Sequence, residues 1–134
     1  MSYDPQTYTS YEMGWQLHSK AGNHQFQSGL YAESLHAYRQ AIALAELMLA
    51  IAQNERRHPE AIHAYVISGH NLADSLLQLG ERQTAETAMQ QALDQVIELM
   101  FAAHYSRCLR VEAAKALKMV SLKAYEFHQH LEAV

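Results

Sequence analysis

The chain has 134 residues and a net charge of −4 with its nine histidines neutral. That length suits one compact domain, so residues 1–134 are read as a single unit with no separate catalytic and regulatory parts. Twenty-one alanines and sixteen leucines, against five valines, five isoleucines, five glycines and two prolines, favour helix and exclude collagen, disorder and turn-rich β folds.

A mildly acidic chain without a Lys/Arg block lacks the electrostatic footprint that phosphate backbones require, so no nucleic acid partner is expected. Charge is nevertheless uneven. Residues 1–106 carry five basic and eleven acidic side chains, 107–123 carry five and one, and 124–134 carry none and two. The plain reading of the basic stretch is a solvated helix face. The single cysteine, Cys108, cannot close an internal disulfide, which fits a reducing compartment. The first residues, MSYDPQTYTSYEMG, lack the basic and apolar regions of a secretory signal. The densest apolar run, Ala41 to Ala52, contains Glu46 and is well short of the ~20 residues that cross a bilayer. A soluble cytoplasmic protein without a membrane partner is expected.

In chain order, the breakers place helices near 9–27, 31–56, 59–79, 82–104 and 108–131. The first is announced by the capping-box pattern Thr9-x-x-Glu12, or earlier by Asp4-Pro5. Gly29 and Gly80 each sit in a short polar hinge, and Arg57-His58-Pro59 makes the break between them, with Pro59 suited to a first helical position. After Gly80 there is no further Gly or Pro, so a softer break near Tyr105-Ser106 divides what would be an abnormally long helix. The second helix carries two adjacent apolar stripes, among them Tyr38, Ile42, Ala45 and Leu49 beside Ala41, Leu44, Met48 and Ile51, as a helix sandwiched between neighbours does. The fourth behaves alike through Ala85, Met89, Ala92, Val96 and Leu99. A shift of 51 residues lays Gly29 on Gly80, Ala37 on Ala88, Gln40 on Gln91, Ala41 on Ala92 and Ala52 on Ala103, which reads as a duplicated helical hairpin.

The second copy, Asn71-Leu72-Ala73-x-x-Leu76-x-x-x-Gly80-x-x-x-x-Ala85-x-x-x-Met89-x-x-Ala92-Leu93, resembles the tetratricopeptide repeat. The first copy resembles it at Gly22, Gly29, Tyr31, Ser34, Tyr38 and Ala41, with Gln25 and His18 as departures. Val120, Ala124 and Phe127 fit half of a third copy, with Lys123 the misfit. The spacing of 51 instead of about 34, and the missing closing proline, mean longer helices than the family standard. The resemblance implies an all-α fold of antiparallel helical hairpins: two long TPR-like repeats plus a C-terminal capping helix, about five helices in a right-handed array.

It also implies a protein-interaction module whose first helices line a concave groove for a peptide or a partner helix. Carried over, the groove positions are Gln16, Ser19, Lys20, Asn23, Phe26 and Gln27, then Ile67, His70, Asn71, Asp74, Leu77 and Gln78, with Ser121, Tyr125 and His128 from the fifth helix. Asn23 and Asn71 also stand where the carboxylate-clamping subgroup has asparagines, but Lys20 is one residue out of place and the third-repeat cations are missing. Stacked repeats usually need three copies and polar caps. A homodimer through Ala41–Ala52 and Val96–Ala103 is therefore a rival, in which the chain is a self-associating scaffold. Tyr3, Tyr8, Tyr11 and Trp15 either cover that surface or mark a contact.

The histidines raise a third reading, metal binding. Glu33-x-x-His36 and Glu60-x-x-His63 fit the element that di-iron bundles use in pairs. On antiparallel neighbours, however, the two sites lie about 20 residues apart, roughly 30 Å at ~1.5 Å per residue, beyond a shared ligand sphere. His104 with Cys108, or His63 with His70, supplies only two ligands where zinc takes three or four. No cofactor or metal is expected. Phosphate loops, nucleophile elbows and dinucleotide fingerprints are absent, and Cys108 reads as a half-buried structural thiol, so the expectation is a non-enzyme.

Overall fold

A computed structural model describes residues 4–133, and Tyr3 lies outside them. Five helices follow one another: α1 (Pro5–Gln27), α2 (Tyr31–Glu55), α3 (Ala61–Gln78), α4 (Arg82–Phe101) and α5 (Arg107–Ala133). Among the described residues the fold is all-α. Each helix packs on the next in consecutive antiparallel pairs, while α3 also touches α1 and α5. The odd-numbered helices therefore run side by side. No described helix is long and apolar enough to cross a membrane.

The two hairpins turn by the same device. Gly29 and Gly80 both have φ of +78°, the left-handed conformation that a Cβ disfavours. At the first turn Leu30 N donates to Gln25 O (2.8 Å) and Gly29 N to Phe26 O (3.0 Å). At the second, Glu81 N donates to Leu76 O (2.9 Å) and Gly80 N to Leu77 O (3.1 Å). Both are Schellman endings, which satisfy the carbonyls that a helix end leaves free.

Other boundaries differ from the expected ones for local reasons. Helix α1 starts at Asp4-Pro5, where the Asp4 carboxylate accepts from Gln6 N at 3.1 Å. Thr9 is thus inside the helix, its hydroxyl turned back to Pro5 O. Pro59 sits in a turn two residues ahead of α3, not in its first position. That turn is anchored by the His58 ring, which stacks on Tyr8 of α1 at 3.7 Å. Helix α4 stops at Phe101, and Ser106 Oγ accepts from Leu109 N to cap α5. Cys108 is exposed, which corrects the half-buried thiol expected from sequence.

Met48, Ile51, Ile62, Val66, Val96, Leu99, Leu109 and Val120 form the centre of the core, each essentially free of solvent. Full burial of one such side chain contributes roughly 1.5–3 kcal/mol. Tyr8, Tyr11 and Trp15 pack against this cluster, so they cover it from within the chain. Ala41, Ala45, Met48, Leu49, Ile51, Ala52, Val96 and Leu99 are likewise buried by their own chain. Of the two segments expected to form a dimer contact, Ala41–Ala52 is mostly packed into the core, whereas Val96–Ala103 buries only Val96 and Leu99 and leaves Ile97 and Phe101 exposed, Phe101 at 76%. A second cluster, built on Ala73, Leu76, Ala85, Met89, Phe127 and Leu131, lies toward the hairpin turns.

Small residues decide how closely the first hairpin closes. A Cβ on Gly22 would stand 2.5 Å from the Tyr38 ring, whereas on Gly14 it would meet only the tip of Leu44, at 2.9 Å. In a helix interior, Gly to Ala alone gains about 1 kcal/mol. Gly14→Ala is therefore expected to be neutral or stabilising. Gly22→Ala is expected to lose about 1–3 kcal/mol through displacement of a packed ring. Urea unfolding of the two variants checks the pair, and a stabilised Gly22→Ala would contradict the close approach.

Candidate functional site

Near the C-terminal ends of α1 and α3, where α5 runs beside them, two adjoining open cavities of about 190 and 230 Å³ share Phe26 and Asp74. Asn23, Phe26 and Gln27 come from α1, spaced as one helix face requires. Asn71, Asp74, Leu77 and Gln78 come from α3 in the same way, and Tyr38 reaches in from α2. The far wall is α5, through Lys123, Glu126, Phe127 and His130. Together they make one shallow groove across three parallel helices.

The walls are held by specific contacts. The Tyr38 hydroxyl donates to Asn23 Oδ1 at 2.7 Å, which leaves the Asn23 amide nitrogen free to donate. Burial, and then the Asp74 charge, push the Tyr38 hydroxyl above its ordinary pKa, so it stays a donor. Phe26 is fixed edge-on against Tyr31, with ring centres 5.1 Å apart. Lys123 Nζ lies 3.1 Å from both carboxylate oxygens of Asp74 and ties α5 to α3. One level down, Trp15 Nε1 donates to Ser68 Oγ at 2.7 Å and ties α1 to α3. Beneath the groove, the Ser34 and Ser75 hydroxyls meet at 2.8 Å in a fully buried contact between α2 and α3.

Seven of the residues singled out by sequence line these cavities: Asn23, Phe26, Gln27, Asn71, Asp74, Leu77 and Gln78. Gln16, Ser19, Lys20 and Ile67 lie outside them, toward the other end of α1 and α3. His70 does not face the groove openly. It is buried, on the stripe of α3 that also carries His63 and Asp74, and its Nε2 finds no partner. Tyr125 is solvent-exposed and Ser121 is exposed too, while His128 lines a separate small cleft between α4 and α5. The fifth helix thus presents 123, 126, 127 and 130 in place of 121, 125 and 128.

Polar contacts hold α5 in that rotation. His63 Nε2 meets Glu112 Oε2 at 2.8 Å, Asp74 meets Lys123, and Arg82 Nη2 donates to Leu131 O at 2.9 Å. The two contacts between the parallel helices α3 and α5, His63–Glu112 and Asp74–Lys123, join residues 49 apart, two fewer than the 51 of the repeat. Two residues turn a helix by about 200°, enough to replace one face with its opposite. Lys123, a misfit to the repeat pattern, meets Asp74 in the groove wall. The missed signal was charge complementarity to Asp74.

Lys123 is engaged by Asp74, so the lining holds no unpaired lysine or arginine for a ligand carboxylate. The paired E-x-x-H elements are also apart: Glu33 and His36 are exposed on α2, whereas Glu60 meets His58 and His63 meets Glu112. Among the described residues no three His, Cys, Asp or Glu side chains gather where a metal could sit.

Burial, and then the Lys123 charge, lower the pKa of His70 from 6.5 to about 4. The unfolded chain therefore binds a proton below pH 6.5 that the folded chain refuses until about pH 4. Stability contributed by a neutral His70 is complete above 6.5 and is lost as pH falls through that window, by up to about 3 kcal/mol. A His70→Asn variant should show a correspondingly shallower loss between pH 6.5 and 4 in chemical unfolding. Parallel curves for the two proteins would contradict a buried neutral His70.

Comparison with curated proteins gives no match, and comparison with solved structures gives none. A family model does match, over residues 13–132. That span runs from within α1 to the last turn of α5 and includes every groove residue. The chain belongs to the family described as Protein of unknown function (DUF2753).

Proposed function

We propose that this chain is a TPR-like interaction module of the cytoplasm that binds a protein segment, as an extended peptide or a helix, in the groove across α1, α3 and α5. The observation that carries the reading is the composition of the lining. Four amides, Asn23, Gln27, Asn71 and Gln78, surround an apolar floor of Phe26, Leu77 and Phe127, and the central charge is already neutralised as Asp74–Lys123. Amide side chains both donate and accept, so they can pair the backbone groups that an extended segment leaves open. The apolar floor rewards burial of side chains. Among the described lining residues no nucleophile stands beside a base, which supports binding without a chemical step.

Gln27 and Gln78 are exposed on the rim, so tryptophan at both positions fills the groove without disturbing the core. Capture from lysate of the source cell with wild type, with Gln27→Trp/Gln78→Trp, and with Gln40→Trp on the outer side of α2, tests the reading. We expect a partner held by wild type and by Gln40→Trp, and recovered about tenfold less, a loss of ~1.4 kcal/mol, by the groove variant. Equal retention by all three would place binding elsewhere, and no retained protein would remove the groove reading.

A further inference from the structure

The outer side of α5 is bare. Glu112 and Lys123 face α3, and Ala124 and Phe127 face α4. Away from both, Arg107, Val111, Lys115, Lys118, Leu122 and Tyr125 recur at steps of four and three, which makes one stripe along about 27 Å of helix. All six are exposed, Leu122 at 55% and Tyr125 at 63%. Lys115 reaches Glu112 at 3.1 Å, yet its side chain stays largely in solvent. The stripe is therefore apolar at Val111, Leu122 and Tyr125, and cationic between them.

Two such stripes centred on each other would bring Lys115 and Lys118 against their own copies, and facing like charges cost several kcal/mol. An acidic surface complements the stripe instead. This chain carries such a surface on a different side. Between α2 and α4, above Tyr65 of α3, an open trench of about 360 Å³ is lined by Glu46, Asp94, Glu98, Gln91 and Gln95, without a lysine or arginine among them. Partial desolvation at the trench wall raises the Glu46 carboxyl above its usual range, although the residue remains exposed. An arriving ammonium group would remove that penalty.

We propose that the α5 stripe of one copy docks, through Lys115 and Lys118, on the Glu46–Asp94–Glu98 trench of a second copy. The contact is heterologous: each pair keeps one free stripe and one free trench, so copies add in series until a ring closes or a filament grows. One helix face is smaller than the ~800 Å² per partner of a standard interface. The association is accordingly weak, and salt screens it. It leaves the concave groove open, so it stands or falls apart from the peptide-binding reading.

Sedimentation velocity tests it, from about 10 to about 500 µM protein, a range suited to a sub-standard interface, at low and at ~0.5 M salt. The mass-average size of wild type should rise with concentration at low salt and return to monomer at high salt. Lys115→Glu/Lys118→Glu and Asp94→Lys/Glu98→Lys should each remain monomeric, with unchanged circular dichroism showing that both fold. Mixed in equal amounts they should associate again, because the intact stripe of the second variant meets the intact trench of the first. A wild type that is monomeric throughout would overturn the proposal. So would association indifferent to either reversal, or a mixture that stays monomeric.

Discussion

The pairing of Asp74 with Lys123 is the constraint on which the groove depends. The stripe Leu109, Ala113, Ala116, Val120, Phe127 and Leu131, buried in the two core clusters, decides which side of α5 turns inward. A lysine and an aspartate that meet at 3.1 Å, with His63 on Glu112, pin that rotation against α3. Hydrogen bonds from His63 and then Lys115 hold the Glu112 carboxyl below its ordinary range, so this acceptor stays ionised. The same rotation that turns Lys123 inward brings Phe127 over the second core cluster and leaves Leu122 and Tyr125 in solvent. Groove wall and bare outer stripe are two consequences of one choice.

The first hairpin contributes by closeness instead of charge. Gly22 lets the Tyr38 ring lie against the α1 backbone, and the ring then delivers its hydroxyl to Asn23 at the groove rim. The buried Ser34–Ser75 contact does similar work between α2 and α3, where two small polar groups satisfy each other at a point too tight for larger apolar ones. Energy from the apolar core holds the array together, but these few polar contacts decide which side chains face the groove. A buried, unpartnered His70 in the α3 face toward α5 opposes that order, because its protonation would add a second cation beside Lys123.

Much of this was legible in the sequence, for reasons of local chemistry. Gly29 and Gly80 marked the hairpin turns because left-handed residues must follow a Schellman ending. The two α1 and α3 segments of the groove came from the resemblance to the tetratricopeptide repeat, carried over at an offset of 51. What failed was the extrapolation of that offset to α5. Cross-helix pairing between Asp74 and Lys123, 49 residues apart, is non-local, and no periodicity within α5 reveals it. The helix start at Asp4 and the early end of α4 at Phe101 were blurred similarly, because caps compete over one or two turns. Of the apolar segments, Ala41–Ala52 is buried within its own chain, which periodicity alone does not distinguish from an interface.

The most direct measurement of the account is a double-mutant cycle in unfolding free energy with Asp74→Asn, Lys123→Met and both together. Each side chain of the pair remains about one-third exposed, 34% and 30%, so the interaction is screened and modest. The account predicts a coupling of about 1 kcal/mol between the two sites, with the double variant less damaged than the sum of the singles. Strict additivity, with no coupling beyond error, would mean that α5 is not held on α3 by this pair and that the groove wall is set by something else.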